Sequence, residues 1–511
     1  MTGKKRLFFL AVMFTLLFAL GACSSDDPVT PQNSSTPAIT GFSPATAAAG
    51  DTITITGTGF STTPASNTVA FNGTPATVVS STSTQIVVTV PAGATSGTIT
   101  VTVGGVTATS SSTITVTTGT GTAGALDTTF GGTGYVTTTI DGIANAIAIQ
   151  VDGKILVAGS GTDATVVRYN TDGTLDTGFG TAGIATLPAG SSELSIIKGL
   201  ALDSNGKIVV AGVGTSGGFF RMAAARLNTD GSLDTTFGAS GIFYSPFTSN
   251  GSYGAQDVAI QADGKIVLVG ETADKFAVVR LNTDGSRDTT GFGSPNGYVT
   301  TAIQGYSHAQ KVAIQGDGKI VVMGQSFLSN FTNFAATVAR YNTDGTLDTT
   351  FGSPNGYVID TRLDDPQAMA LQSGKIVISG GAIVGPIYQF AMLRFGTDGV
   401  SDSTFGTTGL VTTPVGGAGV SGEAYSLALT SGDGIILAGH VSTTPAQIGV
   451  ARYSSNGVLD TTFGSPDGYV LTSIGTSPYP YAAIIDGNGK IVIAGGQGSG
   501  TASYFVVRYL P

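Results

Sequence analysis

The feature that most constrains this chain is a motif that occurs, with variation, seven times from residue 126 onward. Its first copy is Leu-Asp-Thr-Thr-Phe-Gly at 126–131. Between successive copies lie an alternating strand, a tight Asp-Gly-Lys turn, a buried strand ending in Gly and a strand ending in Arg. Four short strands in a unit of roughly 50 to 60 residues match one blade of a β-propeller. The repeat therefore predicts an all-β, seven-bladed β-propeller over residues 126–511. The copies begin at Leu126, Leu175, Leu233, Arg287, Leu347, Ser401 and Leu459.

The order of strands within a unit predicts how the ring closes. We label the strands A to D from the axis outward. The series begins on a D strand near Leu126 and reaches its last C strand at Tyr509. We therefore expect residues near Leu126 to Thr138 to complete the last blade, which leaves no exposed sheet edge. In the first unit the expected strands are Ala146 to Gln150, Lys154 to Gly159, Val166 to Asn170, and Leu175 through Ile184 to Thr186.

Each unit also carries an arginine at the end of its C strand, and the first six are followed eight residues later by an aspartate. This constant spacing predicts charge-assisted pairs that hold the turn between strands C and D. Arg508 reaches the equivalent Asp127 only if the ring closes. The alternative is a row of substrate-binding arginines. The six pairs are Arg168 with Asp176, Arg226 with Asp234, Arg280 with Asp288, Arg340 with Asp348, Arg394 with Asp402, and Arg452 with Asp460.

The turn from Asn170 to Gly173 recurs as well, and its acid resembles part of a calcium loop. An EF-hand loop needs a further acidic ligand at its last position and more carboxylates than these turns provide. We therefore interpret them, and the Asp-Gly-Lys turns, as hairpin turns. No metal and no other cofactor is predicted. One phenylalanine per repeat, from Phe130 to Phe463, is expected to pack between neighbouring blades.

Two stretches resemble known families. The repeats from Leu126 to Tyr509 are similar to the delta-60 repeat, a β-propeller family that implies little about activity. Residues 38–118 contain Ile39 to Pro44 and then Ile53 to Phe60, which look like an IPT/TIG domain, an immunoglobulin-like fold. Their alternating short runs also suit a small β-sandwich. The resemblance implies a spacer or interaction module without catalytic residues, and a linker follows at 119–125.

The N-terminus has the pattern of a bacterial lipoprotein. Basic residues at 4–6 precede an apolar run from Leu7 to Leu20, then Gly21-Ala22 and Cys23. The run is too short for a membrane-spanning helix. Its end resembles the site of bacterial lipoprotein signal peptidase, which implies that Cys23 is acylated. We expect a signal peptide at 1–22, a tether at 23–37 and an outer-membrane lipoprotein. The acids after Cys23 resemble a surface-export signal, and an ordinary polar linker explains them equally well.

Charge excludes one class of partner. The formal net charge is −10 and the pI is near 4.6, so no basic surface is available for counterion release from phosphates. We expect no nucleic-acid partner. A monomer is expected, attached to the membrane through its lipid.

Variation between the repeats predicts the binding face. The separation between the turn glycine and the arginine of a unit varies from 15 to 22 residues, while the Arg-to-Asp spacing is constant. The B–C and D–A loops share one face, so we expect ligands there. Tyrosines suit sugar or peptide contacts because a flat ring combines apolar area with a hydroxyl group; the alternative is that they only anchor loops. The candidates are Tyr253, Tyr306, His308, Tyr388, Tyr425, His440, Tyr479 and Tyr481, with Phe219, Phe220, Phe327 and Phe331 beside them.

No arrangement of nucleophile, base or metal ligands stands out. The only histidines in the sequence are His308 and His440, and Cys23 is the only cysteine. The sequence therefore predicts a non-catalytic envelope lipoprotein whose variable loops bind a polysaccharide or a protein partner. One alternative is a carboxylate-based glycan-active enzyme, and another is a purely structural envelope component. The acids near the variable loops are Asp257, Asp364, Asp365 and Glu423.

Overall fold

The computed structural model describes residues 36–48, 52–91, 94–117, 122–161, 163–187, 193–248, 254–327, 334–498 and 502–511. The predicted signal peptide, Cys23 and most of the tether lie outside the described residues, as do Tyr253 and Phe331. Among the described residues, no helix has the length and apolar character needed to cross a membrane.

The N-terminal domain is a two-sheet β-sandwich. Its strands are β1 (Ala38–Ser43), β2 (Thr46–Ala48), β3 (Thr52–Thr58), β4 (Asn67–Phe71), β5 (Thr74–Ala76), β6 (Val78–Ser81), β7 (Gln85–Thr89), β8 (Gly97–Val103) and β9 (Val106–Thr117), with a single 3-10 turn at Pro64–Ser66. One sheet has the order β1-β3-β7-β6 and the other β2-β9-β8-β4-β5. Alternation along β3 buries Ile53 and Ile55 and exposes the threonines at its two ends, because successive side chains of a strand face opposite sides. The predicted sandwich is confirmed.

Residues from 122 onward form four-stranded antiparallel sheets, seven in the described part of the chain. The strands are β10 (Tyr135–Thr138), β11 (Ile143–Ile149), β12 (Ile155–Ser160), β13 (Thr165–Tyr169), β14 (Ile184–Thr186), β15 (Glu193–Leu202), β16 (Ile208–Ser216), β17 (Phe219–Leu227), β18 (Ile242–Tyr244), β19 (Ala255–Ile260), β20 (Ile266–Thr272), β21 (Lys275–Leu281), β22 (Tyr298–Thr301), β23 (Tyr306–Ile314), β24 (Ile320–Phe327), β25 (Phe334–Tyr341), β26 (Tyr357–Asp360), β27 (Asp365–Gln372), β28 (Lys375–Val384), β29 (Ile387–Phe395), β30 (Leu410–Thr413), β31 (Gly422–Leu429), β32 (Ile435–Val441), β33 (Gln447–Tyr453), β34 (Tyr469–Thr472), β35 (Tyr479–Ile485), β36 (Ile491–Gln497) and β37 (Ser503–Tyr509). Short helical turns occupy Gly293–Gly297, Gly352–Gly356 and Gly464–Gly468.

We number the sheets in chain order. Sheets 1 to 6 each contain four consecutive strands, from β11–β14 to β31–β34, and sheet 7 has the order β10-β37-β36-β35. The first strand of each sheet contacts the first strand of the next, and β35 contacts β11. These inner strands therefore surround a central channel. The predicted all-β class, with a propeller after the sandwich, is confirmed.

The antiparallel order of each sheet separates the connections into two faces. The first-to-second and third-to-fourth strand turns lie at one end, which we call the turn face. The second-to-third strand loops and the connections between sheets lie at the other, which we call the loop face. Every inner strand begins at the loop face and ends at the turn face, so residues early in an inner strand lie near the loop-face mouth of the channel.

Sheet 7 joins two distant parts of the chain, as predicted. Strand β10 pairs antiparallel with β37, with Tyr135 opposite Val507 and Thr138 opposite Tyr504. Ahead of β10, Leu126 forms a bridge to Tyr509. The N–H of Gly124 donates to the carbonyl oxygen of Leu510 at 3.1 Å, so the outer turn of sheet 7 is built from two separate segments.

The repeated arginines are structural. All seven donate to the repeat aspartates with N–O distances of 2.6 to 2.9 Å. Each guanidinium group also lies 4.4 to 4.9 Å from the centre of the repeat phenylalanine ring. Six of them reach across to a turn carbonyl of the next sheet, as Arg168 does to Thr229 at 2.5 Å. The predicted pairs are confirmed, and the repeat phenylalanines are buried as expected.

Candidate functional site

The inner strand of every sheet carries a β-bulge near the loop-face mouth. In sheet 1, the pairing of β11 with β12 shifts between Ala144 and Ala146, which leaves Asn145 as the extra residue. The other six sheets shift at the equivalent place. Strand β11 pairs with β12 on both sides of the bulge. It therefore begins at Ile143, whereas the sequence predicted a start at Ala146. A bulge bends its strand and redirects the unpaired side chain.

The bulge side chains form a ring around the channel. One comes from each sheet, and together they line a cavity of about 200 Å³. A second cavity of about 160 Å³ shares several of these residues and continues toward the turn face. The ring consists of Asn145, Lys198, Gln256, Gln310, Gln367, Tyr425 and Tyr481. We call it the bulge ring.

Four of the predicted binding residues form one aromatic cluster, which includes Tyr425 and Tyr481 of the bulge ring. The rings of His440 and Tyr479 stack with centres 4.5 Å apart and an angle of 7° between planes. Tyr481 lies 6.0 Å from Tyr479 and 5.5 Å from Tyr425. His440 is fixed by donating through Nδ1 to the carbonyl oxygen of Pro478 at 3.0 Å. All four rings are partly exposed, so they present apolar faces with polar edges at the mouth.

A pair of carboxyl groups adjoins this cluster. Glu423 of sheet 6 hydrogen-bonds through its side chain to Asp365 of sheet 5, and burial with the Asp365 charge raises the pKa of Glu423 to about 7. Two acids bound in this way share a proton, because two adjacent negative charges repel. Tyr425 donates to Glu423 at 3.0 Å, and Gln325 donates through Nε2 to Asp365 at 2.5 Å. Because the pKa of Glu423 lies near neutral pH, the pair carries between one and two negative charges there.

Tyr388 belongs to the same side of the mouth. It is 37% exposed, and a side-chain carbon added at Gly381 would lie 2.8 Å from both Tyr388 and Glu423. Burial and the nearby charges of Glu423, Asp364 and Asp365 raise the pKa of Tyr388. The structure thus brings Tyr388, Tyr425, His440, Tyr479 and Tyr481 into one region.

Tyr306 and His308 lie in a separate cluster on sheet 4. Tyr306 packs edge-to-face against Phe327 at 5.1 Å and donates to Glu271 at 3.2 Å. His308 is only 8% exposed, and burial lowers its pKa to about 4. The sequence placed both residues on loops, but they lie within β23, where His308 packs inward.

The other predicted residues are dispersed. Phe219 and Phe220 lie exposed at the β16–β17 hairpin tip. Asp257 lies deep in the channel, where its Oδ2 accepts the Val312 N–H at 3.0 Å and burial raises its pKa. Asp364 accepts the N–H of Ile383 at 2.9 Å.

The hairpin turns use their acids locally. Asp172 accepts both the N–H and the hydroxyl of Thr174, at 2.9 and 2.7 Å, which is the geometry of an Asx-type turn. Throughout the described residues, no group of three or more His, Cys, Asp or Glu side chains is placed to hold a metal ion.

Sequence reasoning did not identify five members of the bulge ring, Asn145, Lys198, Gln256, Gln310 and Gln367. Their signal was present, because an alignment of the seven repeats places a polar or aromatic residue at one position of an otherwise apolar inner strand. The sequence analysis did not include the bulge. It turns this position toward the channel, and the alternation of apolar and polar residues along a strand does not predict it.

Comparison with known families agrees with this architecture. The IPT/TIG domain model matches residues 37–118. The model described as a domain of unknown function (DUF5122) beta-propeller matches residues 150–179, 204–237, 261–290, 315–351, 371–405 and 432–463. The chain joins an IPT/TIG domain to a DUF5122 beta-propeller. The delta-60 resemblance stays a prediction, and no curated protein matches the chain.

Several solved structures are distantly similar to this DUF5122 beta-propeller chain. An auxiliary nutrient binding protein from Bacteroides thetaiotaomicron is 10% identical, with a TM-score of 0.30 and coverage of 94% of this chain and 99% of that one. A protein of unknown function from the same organism is 12% identical, with a TM-score of 0.40 and coverage of 95% and 100%. The polysaccharide lyase Uly1 is 13% identical, with a TM-score of 0.39 and coverage of 72% and 90%. Likenesses this distant support no inference about a ligand or a reaction.

Proposed function

We propose that the propeller binds a polysaccharide, without catalysis, at the loop-face mouth of its central channel. The observation that carries the proposal is the cluster of Tyr425, His440, Tyr479 and Tyr481, whose partly exposed rings adjoin the bulge ring. Aromatic faces bind the apolar faces of sugar rings, and nearby amides bind hydroxyl groups. A protein partner is the alternative occupant of the same face.

The carboxyl pair favours binding over glycoside hydrolysis. Retaining glycosidases hold their two carboxyl groups about 5 to 5.5 Å apart and inverting ones about 6.5 to 9.5 Å apart. Asp365 and Glu423 are instead bonded to each other, which leaves no room for a sugar carbon or a water molecule between them. Asp257 and Asp364 are each engaged by a backbone N–H.

The rest of the chain suits presentation of this site at a cell surface. In the proposed arrangement Cys23 carries the lipid that anchors a monomer to the outer membrane. Residues 23–37 act as a tether, the IPT/TIG domain acts as a spacer, and the propeller faces its ligand.

A glycan array followed by a hydrolysis screen tests the proposal. We expect the full mature chain to bind at least one polysaccharide without releasing shorter products. Tyr479→Ala and Tyr481→Ala are expected to weaken binding at least tenfold, since truncation of an aromatic anchor residue in a binding site costs about 2 kcal/mol or more and about 1.4 kcal/mol is a factor of ten in affinity. Tyr357→Ala, which removes a partly exposed tyrosine from the outer strand β26, is the matched control.

The outcomes separate the candidate functions. Binding with product release supports the glycan-active enzyme. Binding that survives both channel substitutions places the ligand elsewhere. Absence of binding to any glycan, with capture of a protein partner through the same tyrosines, supports the alternative occupant.

A further inference from the structure

Two lysines face the channel without forming an ion pair with any described residue. Lys198 and Lys311 line both the 200 Å³ and the 160 Å³ cavities. Neither side chain has a carboxylate within 4.0 Å or a hydrogen bond to any described residue. The two charges are close enough that Lys311, together with burial, lowers the pKa of Lys198. Two like charges in a confined space are unfavourable unless an anion neutralises them.

This arrangement differs from that of the turn lysines. Six lysines, each ending the turn after an inner strand, contact a repeat aspartate at 2.7 to 3.6 Å. They therefore contribute to the same ionic network as the repeat arginines. Lys198 and Lys311 have no counterpart in the other repeats, where the equivalent positions hold other residue types. Their charge is a property of this channel and not of the propeller scaffold.

We propose that Lys198 and Lys311 bind the carboxylate of an acidic sugar unit that enters the channel from the loop face. The inference rests on the proposed function and specifies its ligand class. A cavity of 200 Å³ has room for roughly six water molecules at about 30 Å³ each, which is comparable with one sugar ring. The amide of Gln367 lines the cavity, where it can bind a hydroxyl group, and Tyr481 offers a ring face to the sugar.

Other charges around the channel do not cancel the two lysines. Asp257 lies in the deeper cavity with Lys311; burial raises the pKa of Asp257, the Lys311 charge opposes that effect, and Asp257 Oδ2 accepts the Val312 N–H. The Asp365–Glu423 pair lies nearer the loop-face end of its strands, and Glu423, with its pKa raised to about 7, keeps a proton for part of the time at neutral pH. The lining of the 200 Å³ cavity contains both lysines and no acidic residue, so the acidic group of a ligand is expected at the lysines, with the rest of the sugar toward the mouth.

The experiment is calorimetric titration of the full mature chain with matched glycans. The acidic set is oligogalacturonate, oligoalginate and hyaluronan oligomers, and the neutral set is galacto-, xylo- and cello-oligosaccharides. Sodium phosphate is the arm for a simple anion. The variants are Lys198→Gln and Lys311→Gln, each keeping length and polarity. Lys275→Gln, an exposed lysine at the β20–β21 hairpin on the loop face, makes the same charge change outside the channel.

We expect at least one acidic oligosaccharide to bind more tightly than every neutral one. Either channel substitution is expected to weaken that binding at least tenfold, while Lys275→Gln changes it less than twofold. Tight binding of a neutral glycan only, or acidic binding unchanged by Lys198→Gln, overturns the inference and leaves the proposed function standing. Phosphate binding as tight as that of the acidic glycan overturns the sugar assignment. Absence of binding to all of the glycans contradicts both proposals.

Discussion

Arg508 donates through Nε to Asp127 Oδ2 at 2.6 Å, although 381 residues separate them in sequence. The contact is nearly shielded from water, with side chains 7% and 3% exposed. The guanidinium group also reaches the Thr171 carbonyl oxygen of sheet 1 at 2.6 Å and lies over the Phe130 ring at 4.7 Å. One arginine thus connects the last strand, the first repeat motif and the neighbouring sheet.

Arg508→Ala is expected to destabilise the propeller by up to about 3 to 5 kcal/mol, because the Asp127 carboxylate stays buried and loses its closest partner, with only Lys490, 3.3 Å away, left as a cation beside it. Arg452→Ala is the matched control. Its pair with Asp460 has the same position in the repeat, but the side chains are 20% and 32% exposed, so the loss is expected to be about 1 kcal/mol. Urea denaturation measures both. Equal losses in the free energy of unfolding would contradict a larger contribution of the Arg508–Asp127 pair to stability.

Removal of residues 126–136 is expected to cause aggregation. The deletion takes away Leu126, which bridges to Tyr509, and the first two residues of β10, which pair with Val507 and Val506 of β37, and an unpaired strand edge is a template for association. Deletion of residues 38–116 removes only the sandwich and is expected to leave the propeller monomeric and folded. Light scattering and thermal melts compare the two variants. A 126–136 deletion that melts like the full chain would contradict the role of β10.

Glu423→Gln is expected to change how stability depends on pH. A pKa of about 7 in the folded chain, against 4.5 for an ordinary glutamate, means that the folded state holds this proton more tightly than the unfolded state. Stability from this group is therefore complete below about pH 4.5 and is lost as pH rises toward 7. The glutamine variant keeps a donor toward Asp365 and has no proton to lose.

The wild-type melting temperature should consequently fall between pH 5 and pH 8 relative to that of Glu423→Gln. Each unit of pKa shift corresponds to about 1.4 kcal/mol, and partial exposure reduces this, so a difference of about 1 to 3 kcal/mol is expected at pH 8. Differential scanning calorimetry measures it. Parallel profiles would show that the two carboxyl groups do not share a proton.

Cys23→Ser is expected to release the protein from membranes, because acylation of that residue is the proposed anchor. Fractionation of cells into membrane and soluble parts measures the effect. Ser24→Ala, beside the same site, is the control and should leave membrane attachment unchanged. Membrane partitioning of Cys23→Ser equal to that of the wild type would contradict lipid anchoring.

The repeat motif alone was sufficient to predict the scaffold. The Arg168–Asp176 spacing specified a local pair, and the strand order specified that Leu126 meets Tyr509; both are consequences of hairpin geometry. The site was less predictable. Tyr425 and Tyr481 were singled out as loop residues, yet they lie on inner strands, because a bulge breaks the alternation from which orientation is inferred. Lys198 and Lys311 were missed because they lie in different repeats. Only the closed ring of inner strands brings them together in the channel.

The most direct test of the central claim is a hydrogen–deuterium exchange footprint of the propeller with its tightest-binding glycan. We expect slower exchange at the loop-face ends of the inner strands β31 and β35, where Tyr425, Tyr479 and Tyr481 surround the mouth. The Asn-Thr-Asp-Gly turns, such as 170–173, are expected to exchange at the same rate with and without glycan. Protection confined to those turns would place the ligand on the opposite face and contradict the account.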